Sequence, residues 1–303
     1  MRASAPLVLS ALLLLPAVAP AQGMGGHDHD PGAATDPAVA APARDPNLPA
    51  GEAAAKDELE HSPRHGEYQD VKLPDGSALN TWISYPERSD KAPVVVIIHE
   101  IFGLTDWIRA LADQLARSGF IAVAPDLLSG LGPGGGGTSS FPGRDSVVAA
   151  IRRLKPATAA ERLDAVRAWA KSLPAANGRS AAVGFCWGGS TCFAYAASRP
   201  DLDAAVVFYG SAPDSASLLK LRVPVLGLYG GDDARVNATI EPARRVLAGA
   251  KLRLYQHREF AGAGHGFLRQ QDGRDGANLR ATQEAWPLAL SFLRAGFNAK
   301  PRR

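Results

Sequence analysis

The segment around Cys186 limits the possible fold more than any other part of the chain. Gly184 and Gly188 flank it in a Gly-x-Cys-x-Gly pattern, after an apolar β-like run (180–183) and before a helical run of small residues (190–198). In a strand-turn-helix elbow the central residue lies on a strained turn, and a Cβ at the flanking positions would collide with the neighbouring strand and helix. The pattern therefore predicts an exposed nucleophile whose attacking species is a thiolate.

The remainder of the chain alternates strand-like and helix-like segments. The β-branched run 94–99 is typical of a strand buried on both faces, and the weaker alternation at 79–85 predicts an early antiparallel strand. This alternation predicts the α/β class, a mostly parallel sheet with helices on both faces and a site at the carboxyl ends of the strands. Further strands are predicted at 121–124, 204–209, 223–230 and 252–260, and helices at 105–118, 157–173, 241–247 and 277–295.

A cysteine nucleophile needs a base and a group that orients the base. His265 lies in a glycine-flanked loop after the last predicted strand, and it alone among the histidines combines this loop context with the order nucleophile, acid, histidine, because His257 lies within a predicted strand. Asp232 and Asp233 follow an earlier strand. Asp233 is preferred because Val236 could pack and set the loop, whereas Asp232 stays the alternative as a turn residue. The sequence thus predicts Cys186, Asp233 and His265 as catalytic residues.

Glu100 follows the most apolar strand and is predicted at the same edge of the sheet. A carboxylate beside a thiol raises the pKa of the thiol, because the two negative charges repel. The alternative for Glu100 is a surface carboxylate or a helix cap. The backbone N–H groups of Ile101 and Trp187 are predicted to form the oxyanion hole, one from an early strand-to-helix loop and one from the residue after the nucleophile.

The N-terminal residues differ in character from the rest of the chain. Residues 1–21 carry an apolar core and end in small residues, as in a secretory signal peptide; an uncleaved anchor is the alternative. Residues 22–60 contain few large apolar side chains until close to their end and are predicted to be a flexible leader. We expect the folded domain at 61–298, in an exported protein, periplasmic or secreted, without a stable membrane span after signal cleavage.

Composition narrows the classes of partner. The net charge of +3 is thinly spread, without the basic cluster of a nucleic-acid-binding protein. Gly-rich residues 134–137 lack the strand, Lys and helix of a phosphate loop. Cys186 and Cys192 are six positions apart, which is about 9 Å along a helix axis and too far for good disulfide geometry. Cys192 is therefore predicted to be a small residue of the core. We expect a monomer without metal or cofactor that acts on a small molecule.

Four motifs in order resemble the dienelactone hydrolases: GFCWGG at 184–189, HEIFG at 99–103, GGDD at 230–233 and AGHGF at 263–267. The resemblance covers about residues 67–297. It implies an α/β-hydrolase fold, a Cys-Asp-His triad and hydrolysis of an ester or lactone through an acyl-enzyme. It also implies that the thiol is held toward Glu100 at rest and pairs with His265 once substrate displaces that carboxylate.

The resemblance further implies arginines that bind a substrate carboxylate. Arg269, four residues after His265, matches one of them, and Arg144 is the candidate for the second. A guanidinium suits the task because its planar fork can bind a carboxylate through two hydrogen bonds. The alternatives are a thiol hydrolase of another acyl compound and a non-catalytic protein that uses the same pocket for binding.

Overall fold

The structure is a computed structural model, and it describes residues 45–300. Eight strands in this range form one sheet. The strands are β1 (Gly66–Lys72), β2 (Ala78–Ser84), β3 (Ala92–Ile98), β4 (Ile121–Pro125), β5 (Ala176–Phe185), β6 (Ala205–Phe208), β7 (Val225–Gly230) and β8 (Tyr255–Phe260). The helices are α1 (Ala55–Glu60), α2 (Asp106–Arg117), α3 (Arg144–Arg153), α4 (Pro156–Ser172), α5 (Trp187–Ser198), α6 (Ser215–Leu218), α7 (Ala234–Asn237), α8 (Ile240–Gly249) and α9 (Ala277–Asn298).

The sheet has the order β1-β2-β4-β3-β5-β6-β7-β8. Strand β2 is antiparallel to both of its neighbours, and all pairs from β4 to β8 are parallel. The predicted α/β fold and its early antiparallel strand are therefore confirmed. The sequence analysis missed β1 because this edge strand is largely exposed and lacks an apolar run.

Strand β3 is central and fully buried, and its side chains alternate between two helical layers. Val95 and Ile97 pack in the core on the face covered by α2 and α9, while Val94 and Val96 pack on the face covered by α4 and α5. A strand covered on both faces has no polar positions, which explains its continuous β-branched sequence. The parallel strands beside it all end at one edge of the sheet, where the predicted site residues follow.

The prediction of a flexible leader is wrong for residues 45–60. Residues 45–60, here called the N-terminal strap, pack on the domain, with Leu48 and Ala55 buried. The indole Nε1 of Trp107 donates to the Ala50 carbonyl at 3.0 Å, and Gln271 Nε2 donates to the Pro49 carbonyl at 2.9 Å. Composition could not show this, because the donors belong to distant helices and loops. The predicted signal peptide (1–21) and leader residues 22–44 lie outside the described residues.

The elbow glycines are confirmed as positions without room for a side chain. A Cβ at Gly184 would overlap the Gly188 carbonyl oxygen, and a Cβ at Gly188 would overlap the carbonyl oxygens of Ile98 and His99. Helix α5 thus approaches the end of β3 backbone to backbone. Backbone atoms cannot rotate out of the way as a side chain can, so the contact tolerates no added methyl group.

We predict that Gly188→Ala lowers the free energy of unfolding by about 3 kcal/mol, the upper range for an overpacked interior, because the methyl group would push α5 off the sheet. Urea unfolding measures the change. Gly249→Ala is the matched control, since a Cβ there meets nothing within 4 Å and alanine favours the end of α8. Equal unfolding midpoints for the two variants would contradict the close approach.

Candidate active site

Cys186 stands on the turn between β5 and α5, with φ of 56° and ψ of −117°. This positive φ is strained for a residue with a side chain. The backbone N–H of Cys186 donates to the Phe208 carbonyl at 3.1 Å, which fixes the turn against the end of β6. The strained geometry presents the thiol at the carboxyl edge of the sheet, as the elbow pattern predicts.

The structure brings the three predicted catalytic side chains together. His265 Nε2 lies 3.0 Å from Cys186 Sγ, and His265 Nδ1 lies 2.5 Å from Asp233 Oδ2. An ionised carboxylate only accepts hydrogen bonds, so Nδ1 carries the proton and Nε2 is left to accept the thiol proton. The arrangement can move a proton from sulfur to imidazole while the carboxylate holds the ring.

The geometry distinguishes the two neighbouring carboxylates. Asp233 is buried and also caps α7 by accepting from the Val236 backbone N–H, so its position is fixed. Asp232 points away and pairs with Arg274 at 3.1 Å, with both side chains about half exposed. The preferred acid of the sequence analysis therefore lies at the imidazole, and the alternative does not.

Two backbone amides face the sulfur. The N–H groups of Trp187 and Ile101 both act to lower the pKa of the Cys186 thiol by hydrogen bonding to its ionised form. Burial, followed by the charge of Glu100, outweighs them and raises that pKa to about 11. The thiol is thus protonated near neutral pH, and the two amides point where negative charge would develop.

Glu100 lies beside the thiol and is almost fully buried. Burial raises its pKa to about 7, against the opposing effect of the Arg269 guanidinium, whose Nε lies 2.7 Å from Glu100 Oε2. The surface or helix-cap alternative for Glu100 does not apply. The thiol is paired with His265, which the resemblance implies only after substrate has displaced Glu100, and Glu100 is paired with Arg269, which the resemblance did not imply.

Arg269 and Arg144 are also brought together, although they lie 125 positions apart in the chain. Both guanidiniums lie over the Phe102 ring, at 5.1 and 3.8 Å from its centroid. Both bind one carboxylate, that of Glu52 in the N-terminal strap. The sequence analysis missed Glu52, since an isolated glutamate among Gly, Ala and Pro carries no pattern.

Tyr209 is a second residue that the sequence analysis missed. It follows β6 with φ of 40° and is fully buried, and its ring packs edge-on against His265 at 5.2 Å between centroids. Burial, and then the charges of Glu100 and Cys186, raise the pKa of its hydroxyl well above the usual range. Its position at the carboxyl end of a parallel strand was a signal that could have found it.

His99 and Cys192 have structural roles rather than places among the reacting groups. His99 is buried, with Nδ1 2.8 Å from the Glu100 carbonyl oxygen and Nε2 accepting from the Leu127 backbone N–H, so it supports the loop that carries Glu100. Cys192 is fully buried in the core, and neither cysteine forms a disulfide. Within residues 45–300, no cluster of His, Cys, Asp or Glu is placed to hold a metal ion, and no helix is long and apolar enough to cross a membrane.

The chain is similar to known proteins in sequence and in structure. The sequence pattern described as the dienelactone hydrolase family matches residues 79–297. A Salmonella typhimurium protein named "Putative carboxymethylenebutenolidase" is 31% identical over 233 residues, covering 72% of this chain and 83% of the relative.

Solved structures share the fold. A structure titled "Putative Dienelactone Hydrolase", from Klebsiella pneumoniae, has a TM-score of 0.66 and 26% identity, covering 76% of this chain and 98% of that one. Pyrococcus horikoshii acylaminoacyl peptidase, with a TM-score of 0.60 and 15% identity, covers 82% of this chain and 44% of its own; at that identity it supports the fold alone.

We predict that iodoacetamide alkylates Cys186 slowly at pH 7, with a rate that rises roughly tenfold per pH unit toward pH 11, because only the thiolate reacts. Glu100→Gln removes the neighbouring negative charge, so the profile should shift to lower pH. Mass spectrometry at fixed times measures the rate. Asp232→Asn, which removes a charge at the same edge of the sheet, should leave the profile in place. A thiol that reacts fully at pH 7 would contradict the raised pKa.

Proposed function

The chain belongs to the dienelactone hydrolase family, and from this premise we propose that it hydrolyses carboxylic esters or lactones through an acyl-enzyme on Cys186. The observation that most directly supports the proposal is the 3.0 Å contact between Cys186 Sγ and His265 Nε2, with Asp233 on the other ring nitrogen. Nucleophile, base and orienting carboxylate are the minimum set for covalent acyl transfer.

In the proposed first step the Cys186 thiol gives its proton to His265 Nε2 as sulfur attacks the substrate carbonyl carbon. The base is needed because a thiol with a pKa of about 11 is hardly ionised near neutral pH. The carbonyl oxygen becomes an oxyanion that accepts from the N–H groups of Ile101 and Trp187. Losing one such donor typically costs about 100- to 1,000-fold in rate.

The imidazolium then gives its proton to the leaving alkoxide, the C–O bond breaks, and a thioester remains on the sulfur. In the second half His265 takes a proton from water, hydroxide adds to the thioester carbonyl, and the thiolate leaves and regains its proton. Asp233 holds the ring and stabilises its positive charge in both halves. A lactone opens in the first half without releasing a separate alcohol.

Glu100 is proposed to tune the nucleophile. Its carboxylate raises the pKa of the thiol when ionised, and the same carboxylate is paired with the Arg269 guanidinium. With a pKa of about 7, Glu100 changes charge in the range where a hydrolase works. The same attack by Cys186 could cleave thioesters and other acyl compounds. Comparing kcat/KM for esters, lactones and thioesters shows which class of acyl compound the protein prefers.

We expect Cys186→Ala and His265→Ala each to abolish hydrolysis of 4-nitrophenyl butyrate and of a short lactone, because each removes the nucleophile or its base. Release of 4-nitrophenol and proton release from the lactone measure the two reactions. Mass spectrometry of the wild-type protein in acid-quenched samples should show an acyl adduct at Cys186. Activity like that of the wild type in either variant would refute the acyl-enzyme.

Asp233→Asn should lower kcat by about 10⁴-fold, as loss of the orienting carboxylate does in related triads, because the amide no longer selects the Nδ1–H tautomer. Asp232→Asn is the matched control and should keep nearly full activity, since its carboxylate pairs with Arg274 outside the triad. The same ester assay measures both variants. A larger loss in Asp232→Asn than in Asp233→Asn would reverse the assignment of the acid.

A further inference from the structure

Two guanidiniums converge beside the active site on a carboxylate that the chain itself supplies. Arg144 Nη2 lies 2.7 Å from Glu52 Oε1, and Arg269 Nη1 pairs with the other oxygen, Oε2. The ring of Phe102 lies against both guanidiniums. Two guanidiniums that converge beside an aromatic ring form a strong binding site for one carboxylate, and Glu52 fills it.

Glu52 is held there by its backbone as well as by its charge. Its N–H donates to the Arg269 carbonyl at 2.9 Å, so the strap and the loop after His265 are joined at this residue. Just before it, the carbonyls of Pro49 and Ala50 accept from side chains of the domain. A carboxylate fixed in this way competes as an intramolecular ligand of high effective concentration, which a free carboxylate must displace.

The charges of the cluster are balanced. Arg269 serves two carboxylates, Glu52 on the strap and Glu100 beside the thiol, while Arg144 serves Glu52. When both carboxylates are ionised, two negative charges face two positive ones. A substrate carboxylate arriving here would add a third negative charge next to Glu52, which is unfavourable unless Glu52 leaves.

We propose that Glu52 is a specificity-determining residue: it occupies the paired arginines in place of a substrate carboxylate, so that the enzyme selects esters or lactones that are uncharged at this end. This inference rests on the proposed ester or lactone hydrolysis. It deepens that proposal by naming the substrate class, and it gives the N-terminal strap a part in the site.

The test compares two matched substrates, the 4-nitrophenyl half-ester of adipic acid and the corresponding neutral terminal amide. Homologues from glutaric to suberic acid vary the distance between the ester carbonyl and the terminal group. Wild-type protein should show no preference for the acid. Glu52→Ala should raise the ratio of kcat/KM, acid over amide, by about tenfold or more, the worth of one charge-assisted hydrogen bond. Glu52→Gln, which keeps the shape of the side chain, should change the ratio in the same direction.

Two further variants separate the arginine site from a general charge effect. Glu60→Ala removes a carboxylate from the same strap, one that pairs with Lys56, and should leave the ratio unchanged. Glu52→Ala combined with Arg144→Gln should lose most of the gain, because one of the two guanidiniums is gone. A wild-type preference for the acid, or an unchanged ratio in both Glu52 variants, would overturn the inference.

Calorimetric titration with glutarate, which cannot be hydrolysed, tests the arginine site apart from catalysis. Glutarate should bind Glu52→Ala and not the wild-type protein. If wild-type protein cleaved no ester, the proposed function would fail, while the glutarate result would still show whether Glu52 occupies a carboxylate site. Equal binding of glutarate to the two proteins would refute that occupancy, whatever the ester assay gives.

Discussion

The close approach of α5 to the ends of β3 and β6 is the constraint on which the whole site depends. Gly188 meets the backbone at the end of β3, and Gly189 lies so near the end of β6 that an added Cβ would be 2.6 Å from the Phe208 carbonyl oxygen. This contact places the sulfur and the Trp187 amide next to the loop that carries Glu100 and the Ile101 amide. Backbone packing thereby sets the positions of the sulfur and the two amides, and the side chains of His265 and Asp233 complete the site.

The electrostatics of the site form a chain that runs outward from the sulfur. Glu100 raises the pKa of the thiol, Arg269 pairs with Glu100, and Glu52 pairs in turn with Arg269. Each charge influences the next, and the ionised form of Glu52 opposes ionisation of Glu100. The reactivity of the cysteine after β5 is thus connected, through Glu100 and Arg269, to Glu52 in the N-terminal strap.

The sequence was informative wherever local pattern and structure coincide. The β-branched run of β3 and the glycines of the elbow reflect constraints that act within a few residues, so the fold class was predictable. The candidate triad was predictable because Cys186, Asp233 and His265 each follow a strand, in the order of the fold, and parallel strands end at one edge of the sheet. Between the adjacent aspartates the sequence only favoured Asp233, because both follow the same strand, and the distances to His265 and Arg274 distinguish them.

The features that escaped prediction depend on distant partners. The strap is ordered by donors such as Trp107 and Gln271, which lie far along the chain, and its own residues are small and weakly patterned. The role of Glu52 as a partner of Arg144 and Arg269 is visible only in the folded chain, where the three side chains meet. Family resemblance supplied the two arginines and the idea of a substrate carboxylate, and the structure shows the chain's own carboxylate at that place.

The pairing of Glu52 with Arg269 joins residues 217 positions apart. During synthesis from the N-terminus, the strap emerges long before the loop that carries Arg269, and closing so large a loop is entropically costly until the sheet between them exists. The Glu52–Arg269 pair cannot form before the chain has been made through Arg269, and its closure costs least once β7 and β8 have joined the sheet. The two ion pairs of Glu52 therefore exist only in a chain in which the N-terminal strap, helix α3 and the loop after His265 have been brought together.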